Sequence, residues 1–104
     1  MDAIVSVRLQ SSIVSQQEFL EKVMSGEEVA EIFRLNLKRI RKAAGVSQLA
    51  LSRRSGILQS QLSELEGGKT RPSLETLARI AESLGVGPWL LLLPPEVKKP
   101  VNPG

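Results

Sequence analysis

Ser47-Gln48-Leu49-Ala50-Leu51-Ser52-Arg53-Arg54-Ser55-Gly56-Ile57-Leu58-Gln59-Ser60-Gln61-Leu62-Ser63-Glu64-Leu65-Glu66 is the stretch that decides the fold. Ser47 is a helix N-cap residue, and the helix it opens runs to about Ser55, where Gly56 ends it. A second short helix is expected from Gln59 to Glu66, ended by Gly67-Gly68. Leu51, Ile57, Leu62 and Leu65 are spaced to face a common core, and Ser52 is small where the two helices must approach closely. Gly56 supplies the positive φ that a sharp interhelical turn requires.

Upstream, Ser25 followed three residues later by Glu28 is a capping box, so a longer helix is expected to about Ala44. Val29, Ile32, Phe33, Leu37, Ile40 and Ala44 recur at helical spacing and give it one apolar face. Acids open it (Glu27, Glu28, Glu31) and bases close it (Arg39, Arg41, Lys42), the order that suits the helix dipole. Downstream, Arg71-Pro72 breaks the chain, and Ser73 caps a fourth helix, Leu74 to Leu84, ended by Gly85. A fifth, short helix is expected to start at Pro88 and reach Leu93, where Pro94-Pro95 stops it. The fold class is therefore all-α, with five helices over residues 26–93. The tail, 94–104, is Pro-rich and expected to be disordered. Residues 1–25 form an N-terminal extension. In it Val5, Val7 and Leu9 alternate with Ser6 and Arg8 as in a strand, and Ser15 with Glu18 predicts a short helix over 16–24. An isolated strand needs a partner, so 3–9 either pairs with another chain, packs as an arm, or is helical or disordered. The extension is a candidate dimerisation arm, with Val5, Val7 and Leu9 pairing across a two-fold axis, or a site for another protein.

The chain has 104 residues, which suits one domain, and 41% of them are hydrophobic. Phe19, Phe33 and Trp89 are the whole aromatic complement, so the core is aliphatic. There is no Cys and no His. That excludes disulfides, thiolate or imidazole metal sites, cysteine nucleophiles and histidine general bases. No cofactor is expected. Asp2 stands where a signal peptide has basic residues, and Trp89 to Leu93, the longest apolar run, is far too short to span a bilayer. A cytoplasmic protein without a membrane segment is expected. Net charge is only +3, but it is unevenly spread. Residues 1–33 carry a net of −4. Residues 34–72 hold nine Lys or Arg against Glu64 and Glu66, a net of +7, and residues 73–104 are neutral. A cationic block of this kind suits a surface that meets phosphates, although a solvated basic helix face has the same count.

The Gly-turn stretch resembles the helix-turn-helix of the phage Cro/C1-repressor family, also called the XRE family. The matching residues begin with Arg41 four before Gly45, then Val46-Ser47-Gln48, Leu51, Ser52, Ser55-Gly56-Ile57, Ser60, Leu62-Ser63, Leu65-Glu66 and Gly68-Lys69. They continue with Pro72-Ser73-Leu74-Glu75-Thr76-Leu77, Ile80-Ala81 and Leu84-Gly85-Val86. The resemblance covers about residues 33–93 and implies a lambda-repressor-like domain that binds double-stranded DNA. In such domains the second helix of the motif lies in the major groove and its first residues touch base edges. That implies base reading by Gln59, Ser60, Gln61, Ser63 and Glu64. Gln pairs bidentately with adenine, Ser bonds to any base edge, and Glu accepts from cytosine N4. In the family a Gln at the position of Gln48 bonds phosphate and braces the recognition-helix Gln, which implies that Gln48 and Gln59 act together. Further phosphate candidates are Ser47 with the free amides of the following turn, Arg53, Arg54, Lys69, Thr70 and Arg71, and then Lys38 and Lys42. The family also implies an ion pair between Arg41 and Glu66. Leu58 departs from the pattern, which has a capping Ser or Thr there, so Ser60 is the alternative cap. Ser52 and Ala50 are milder departures.

A single module of this size has a small interface, so a homodimer reading two half-sites is expected. Part of Trp89 to Leu93 is a candidate dimer contact; closing the domain core is the other use for it. The leading functional expectation is a repressor. The alternative is an antitoxin that binds a toxin protein through residues 1–25 and represses its own operon. An enzyme is the weakest reading. Ser47, Ser52, Ser55 and Ser63 are accounted for by caps and packing, and no base stands ready for them.

Overall fold

The computed structural model describes residues 21–94. The expected strand at 3–9, residues 16–20 of the expected short helix, and the tail beyond residue 94 lie outside the described residues. Of the rest of that short helix, Glu21 is helical and residues 22–24 are not.

Residues 25–93 form one unit of four α-helices and a 3-10 turn. Helix α1 is Gly26–Ala43, α2 is Gln48–Ser55, α3 is Gln59–Glu66 and α4 is Leu74–Leu84, followed by the 3-10 helix Pro88–Leu91. The starts are chemically specified. At α1 the Ser25 hydroxyl accepts from the Glu28 amide at 3.1 Å while the Ser25 amide donates to the Glu28 carboxylate at 2.9 Å, a complete capping box. The Ser47 and Ser73 hydroxyls accept from the amides of Ala50 and Thr76 and cap α2 and α4. Leu58 occupies the cap position of α3 with no side-chain bond, and Ser60 does not replace it.

The α2–α3 turn depends on Gly56, whose φ of 77° lies where a Cβ is strained. Helix α2 packs on α3 and α4, α1 packs on α3 and the 3-10 turn, and α4 packs on that turn as well. Phe33, Leu37 and Ile40 of α1 meet Leu51, Ile57, Leu62, Leu65, Leu77, Ile80 and Leu91 in one aliphatic core. Ala44, expected on the buried face of α1, is exposed, because the helix ends at Ala43 and Ala44 is already its C-cap.

The fifth helix is shorter and tighter than expected: a four-residue 3-10 turn in place of an α-helix from Pro88 to Leu93. Its physical reason lies on α1. Asn36 is buried, with 1% of its surface exposed, and its Nδ2 donates to the carbonyls of Leu91 at 3.0 Å and Leu93 at 2.8 Å. Its Oδ1 accepts from Arg39 at 3.2 Å. Carbonyls held by a side chain need no helix continuing beyond them, and Pro94 offers no amide with which to extend one. The clamp seats Leu91, fully buried, under α1 and α4.

Asn36→Ala is expected to leave those buried carbonyls without a donor and to cost about 2 kcal/mol of unfolding free energy. Urea denaturation followed by far-UV circular dichroism measures this, and an unchanged midpoint contradicts the clamp.

Candidate nucleic-acid interface

Helix α3 has two chemically distinct sides. Leu62, Leu65 and Glu66 are buried, and these positions share one helical face. Gln59, Ser60, Gln61, Ser63 and Glu64 are all exposed. At about 100° per residue, Ser60 and Glu64 point most directly away from the buried face, with Gln59 and Ser63 toward one edge and Gln61 at the other. No protein group among the described residues bonds these five side chains.

The entry into α3 is held rigidly. Ile57 is buried; its carbonyl accepts from the Ser52 hydroxyl at 2.5 Å, and its amide donates to the Ser55 hydroxyl at 3.2 Å. The small Ser52 therefore does more than let two helices approach, because its hydroxyl ties α2 to the first residues of α3.

The far end of α3 is held by a buried charge network. Arg41 and Glu66 are 8% and 6% exposed. The Arg41 guanidinium donates Nε to Glu66 Oε2 at 2.5 Å and Nη2 to Oε1 at 3.0 Å, a two-pronged pair. Its Nη1 donates to the Val46 carbonyl at 2.8 Å, just before α2. Gln48 Nε2, at the first residue of α2, donates to Glu66 Oε1 at 3.0 Å. One carboxylate thus joins α1, α2 and α3. Burial pushes the Glu66 carboxyl upward. Hydrogen bonds from Arg41 and Gln48, with the charges of Arg41 and Lys38, outweigh that and hold it below the ordinary carboxylate value. The expected pairing of Gln48 with Gln59 is absent among the described residues; Glu66 takes the Gln48 amide instead.

The remaining sequence candidates surround this helix in the chain. Ser47, half-buried Gln48, and exposed Arg53 and Arg54 belong to α2 and its cap, while Lys69, Thr70 and Arg71 follow α3 and are exposed. Gly68, at φ 77°, turns the chain so that the Lys69 amide donates to the Glu64 carbonyl at 2.9 Å, which closes α3 and starts the basic loop. The ion pairs among the described residues are Arg34–Glu31, Arg41–Glu66 and Arg79–Glu75. Arg53, Arg54, Lys69 and Arg71 take part in none of them, so their charge is not neutralised locally. Exposed Lys38 and Lys42 extend the cationic block on α1. Among the described residues no group of acidic side chains is arranged to hold a metal ion, and no helix is long and apolar enough to cross a membrane.

Comparison with known proteins agrees with this arrangement. A family model described as helix-turn-helix matches residues 37–88. An uncharacterized HTH-type transcriptional regulator of Sinorhizobium fredii, y4dJ, is 39% identical over 59 residues, covering 57% of this chain and 77% of that protein. A second uncharacterized HTH-type transcriptional regulator, from Haemophilus influenzae, is 34% identical over 73 residues, covering 65% and 74%. The crystal structure of the hypothetical transcription factor NHTF from Neisseria is similar at a TM-score of 0.64 and 28% identity, covering 72% of this chain and 87% of that one.

Glu66→Ala leaves Arg41 buried without its carboxylate and is expected to cost about 3 kcal/mol of stability near neutral pH. Because the folded-state carboxyl is held below its unfolded value, the stabilisation is complete above that unfolded value. It is lost as pH falls through the folded one. The stability gap between the two proteins, measured by urea unfolding, should be constant near neutrality and narrow in acid. A gap independent of pH contradicts the assigned network.

Proposed function

This chain belongs to the Cro/C1-type helix-turn-helix family, whose members are DNA-binding transcriptional regulators, and from that premise we propose that it is a repressor reading a palindromic operator as a homodimer. The observation that carries the reading is the exposed side of α3, five polar side chains with no hydrogen-bond partner among the described residues, flanked in the chain by Lys and Arg residues that make no ion pair among them. The major groove admits one helix, and its base edges are donors and acceptors that such side chains match. Gln59, Ser60, Gln61, Ser63 and Glu64 read bases. Ser47, Gln48, Arg53, Arg54, Lys69, Thr70 and Arg71 hold phosphates and set the register. Gln48 supports this through Glu66: one Nε2 hydrogen goes to the carboxylate that orients α3 and the second is left to donate to a phosphate, so phosphate contact and helix orientation share one residue.

Two-fold symmetry follows from interface size. One module buries too little to give tight binding alone, and two modules reach half-sites one DNA turn apart. Trp89 is the candidate anchor of the dimer. It is 67% exposed although it follows Pro88 in a turn whose Leu91 is fully buried, and Leu92, three residues on, is also exposed. Large apolar side chains left in water on a small domain mark a contact surface. Repression needs only that the bound dimer occlude polymerase.

Gln59→Ala is expected to weaken binding to the preferred duplex by about tenfold while non-specific binding stays nearly intact. Arg71→Ala should weaken both and reduce the salt slope by about one. Mobility shifts across a salt series separate the two effects, and an unchanged sequence preference in Gln59→Ala contradicts the assigned face.

Trp89→Glu should convert a dimer to a monomer in sedimentation and weaken operator binding, with little change in melting temperature. A dimer that survives this substitution places the interface elsewhere.

A further inference from the structure

Leu58 stands at the position that opens α3, where a hydroxyl or carboxylate side chain normally accepts from the first-turn amides. It makes no such bond, and 70% of its surface is exposed. The backbone there is used fully: the Leu58 carbonyl accepts from the Leu62 amide at 3.0 Å, and φ and ψ of −60° and 142° are those of a helix cap. The side chain makes no capping bond and lies mostly in solvent. It leaves the helix start uncapped and keeps a large apolar group in water.

Its placement is nevertheless fixed. Ile57 on one side is buried and bonded at both its amide and its carbonyl to Ser55 and Ser52, and Leu62 one turn later is fully buried. Leu58 is therefore presented from a clamped backbone, immediately before Gln59 and Ser60. The major groove offers one apolar feature on its base edges, the 5-methyl group of thymine. Resting on the reading of α3 as the groove-entering helix, we infer that Leu58 is a specificity-determining residue that packs against a thymine methyl beside the bases read by Gln59 and Ser60. Its chemistry recognises a hydrocarbon surface, so it selects thymine over cytosine without a hydrogen bond. A serine at this position caps the helix but forfeits that contact, so stability and specificity pull Leu58 in opposite directions.

The test uses the full chain and duplexes selected from random DNA by that chain. Each thymine of the selected site is replaced in turn by deoxyuridine, which keeps every hydrogen-bonding group and removes only the methyl. At one thymine in each half-site the unsubstituted protein should lose about fourfold in affinity, the value of one buried methyl-sized group. Leu58→Ala should bind the thymine and deoxyuridine duplexes equally, and Leu58→Met should restore the difference. Leu58→Ser should melt about 5 °C higher because a cap is supplied, and still lose the discrimination. No thymine whose methyl matters to the unsubstituted protein, or discrimination retained in Leu58→Ala, overturns the inference while leaving base reading by Gln59 and its neighbours standing. A selection that enriches no sequence overturns base reading itself, and this inference with it.

Discussion

The orientation of α3 depends on one buried carboxylate. Glu66 is the last residue of that helix, and it is bonded by a guanidinium from α1 and an amide from α2. Apolar packing brings these helices together, but it tolerates rotation and sliding, since leucine contacts have no direction. Two-pronged charge-assisted hydrogen bonds do have direction. A buried ion pair adds little net stability over well-packed hydrocarbon, because desolvation offsets the attraction. What it imposes here is an angle: with Glu66 held, Leu62 and Leu65 face inward, and Ser60 and Glu64 can only face out. The Gly56 turn and the Ser52–Ile57–Ser55 bonds hold the other end of the same helix. An eight-residue helix, too short to be stable alone, is thereby presented as a rigid surface.

Rigidity explains how the polar side chains can remain unbonded. Gln and Ser side chains that satisfied one another within the protein would have to break those bonds on meeting DNA. Here α3 is ordered by its buried face, so in the proposed reading its exposed face is free to bond base edges with little loss of backbone entropy. In the proposed reading the basic residues that flank it in the chain act through charge and need no fixed geometry, which fits their exposure in loops and last turns. Leu58 belongs with the ordered set, an apolar group at a clamped backbone position.

The all-α class, the four helices and most of the core were legible in the sequence, for local reasons. Ser25 with Glu28, Ser47 and Ser73 each cap the helix that follows within three residues, and Gly56 ends the helix before it. The periodicity of Phe33, Leu37 and Ile40 marks the buried face of α1. The legible part of the site was the exposed side of α3, assigned by family resemblance, with Leu62 and Leu65 set inward by their spacing; the Arg41–Glu66 pair came from the resemblance alone, since nothing local links residues 25 apart. Asn36 was not legible. Between Leu35 and Leu37 it reads as a polar surface residue, and its partners lie 55 and 57 residues away. The same clamp shortens the fifth helix to a 3-10 turn, so both departures have one long-range cause. Gln48 departs likewise: its side-chain amide donates to a carboxylate from another helix rather than to the Gln59 side chain expected from the family.

The most direct measurement is a titration of the isotope-labelled protein with its selected duplex, followed by backbone and side-chain amide resonances. The largest shifts should fall on the amides of residues 59–64, with the Arg41 Nε–H resonance remaining in its hydrogen-bonded position throughout. Shifts concentrated on α4 or the 3-10 turn, with α3 unperturbed, contradict the account.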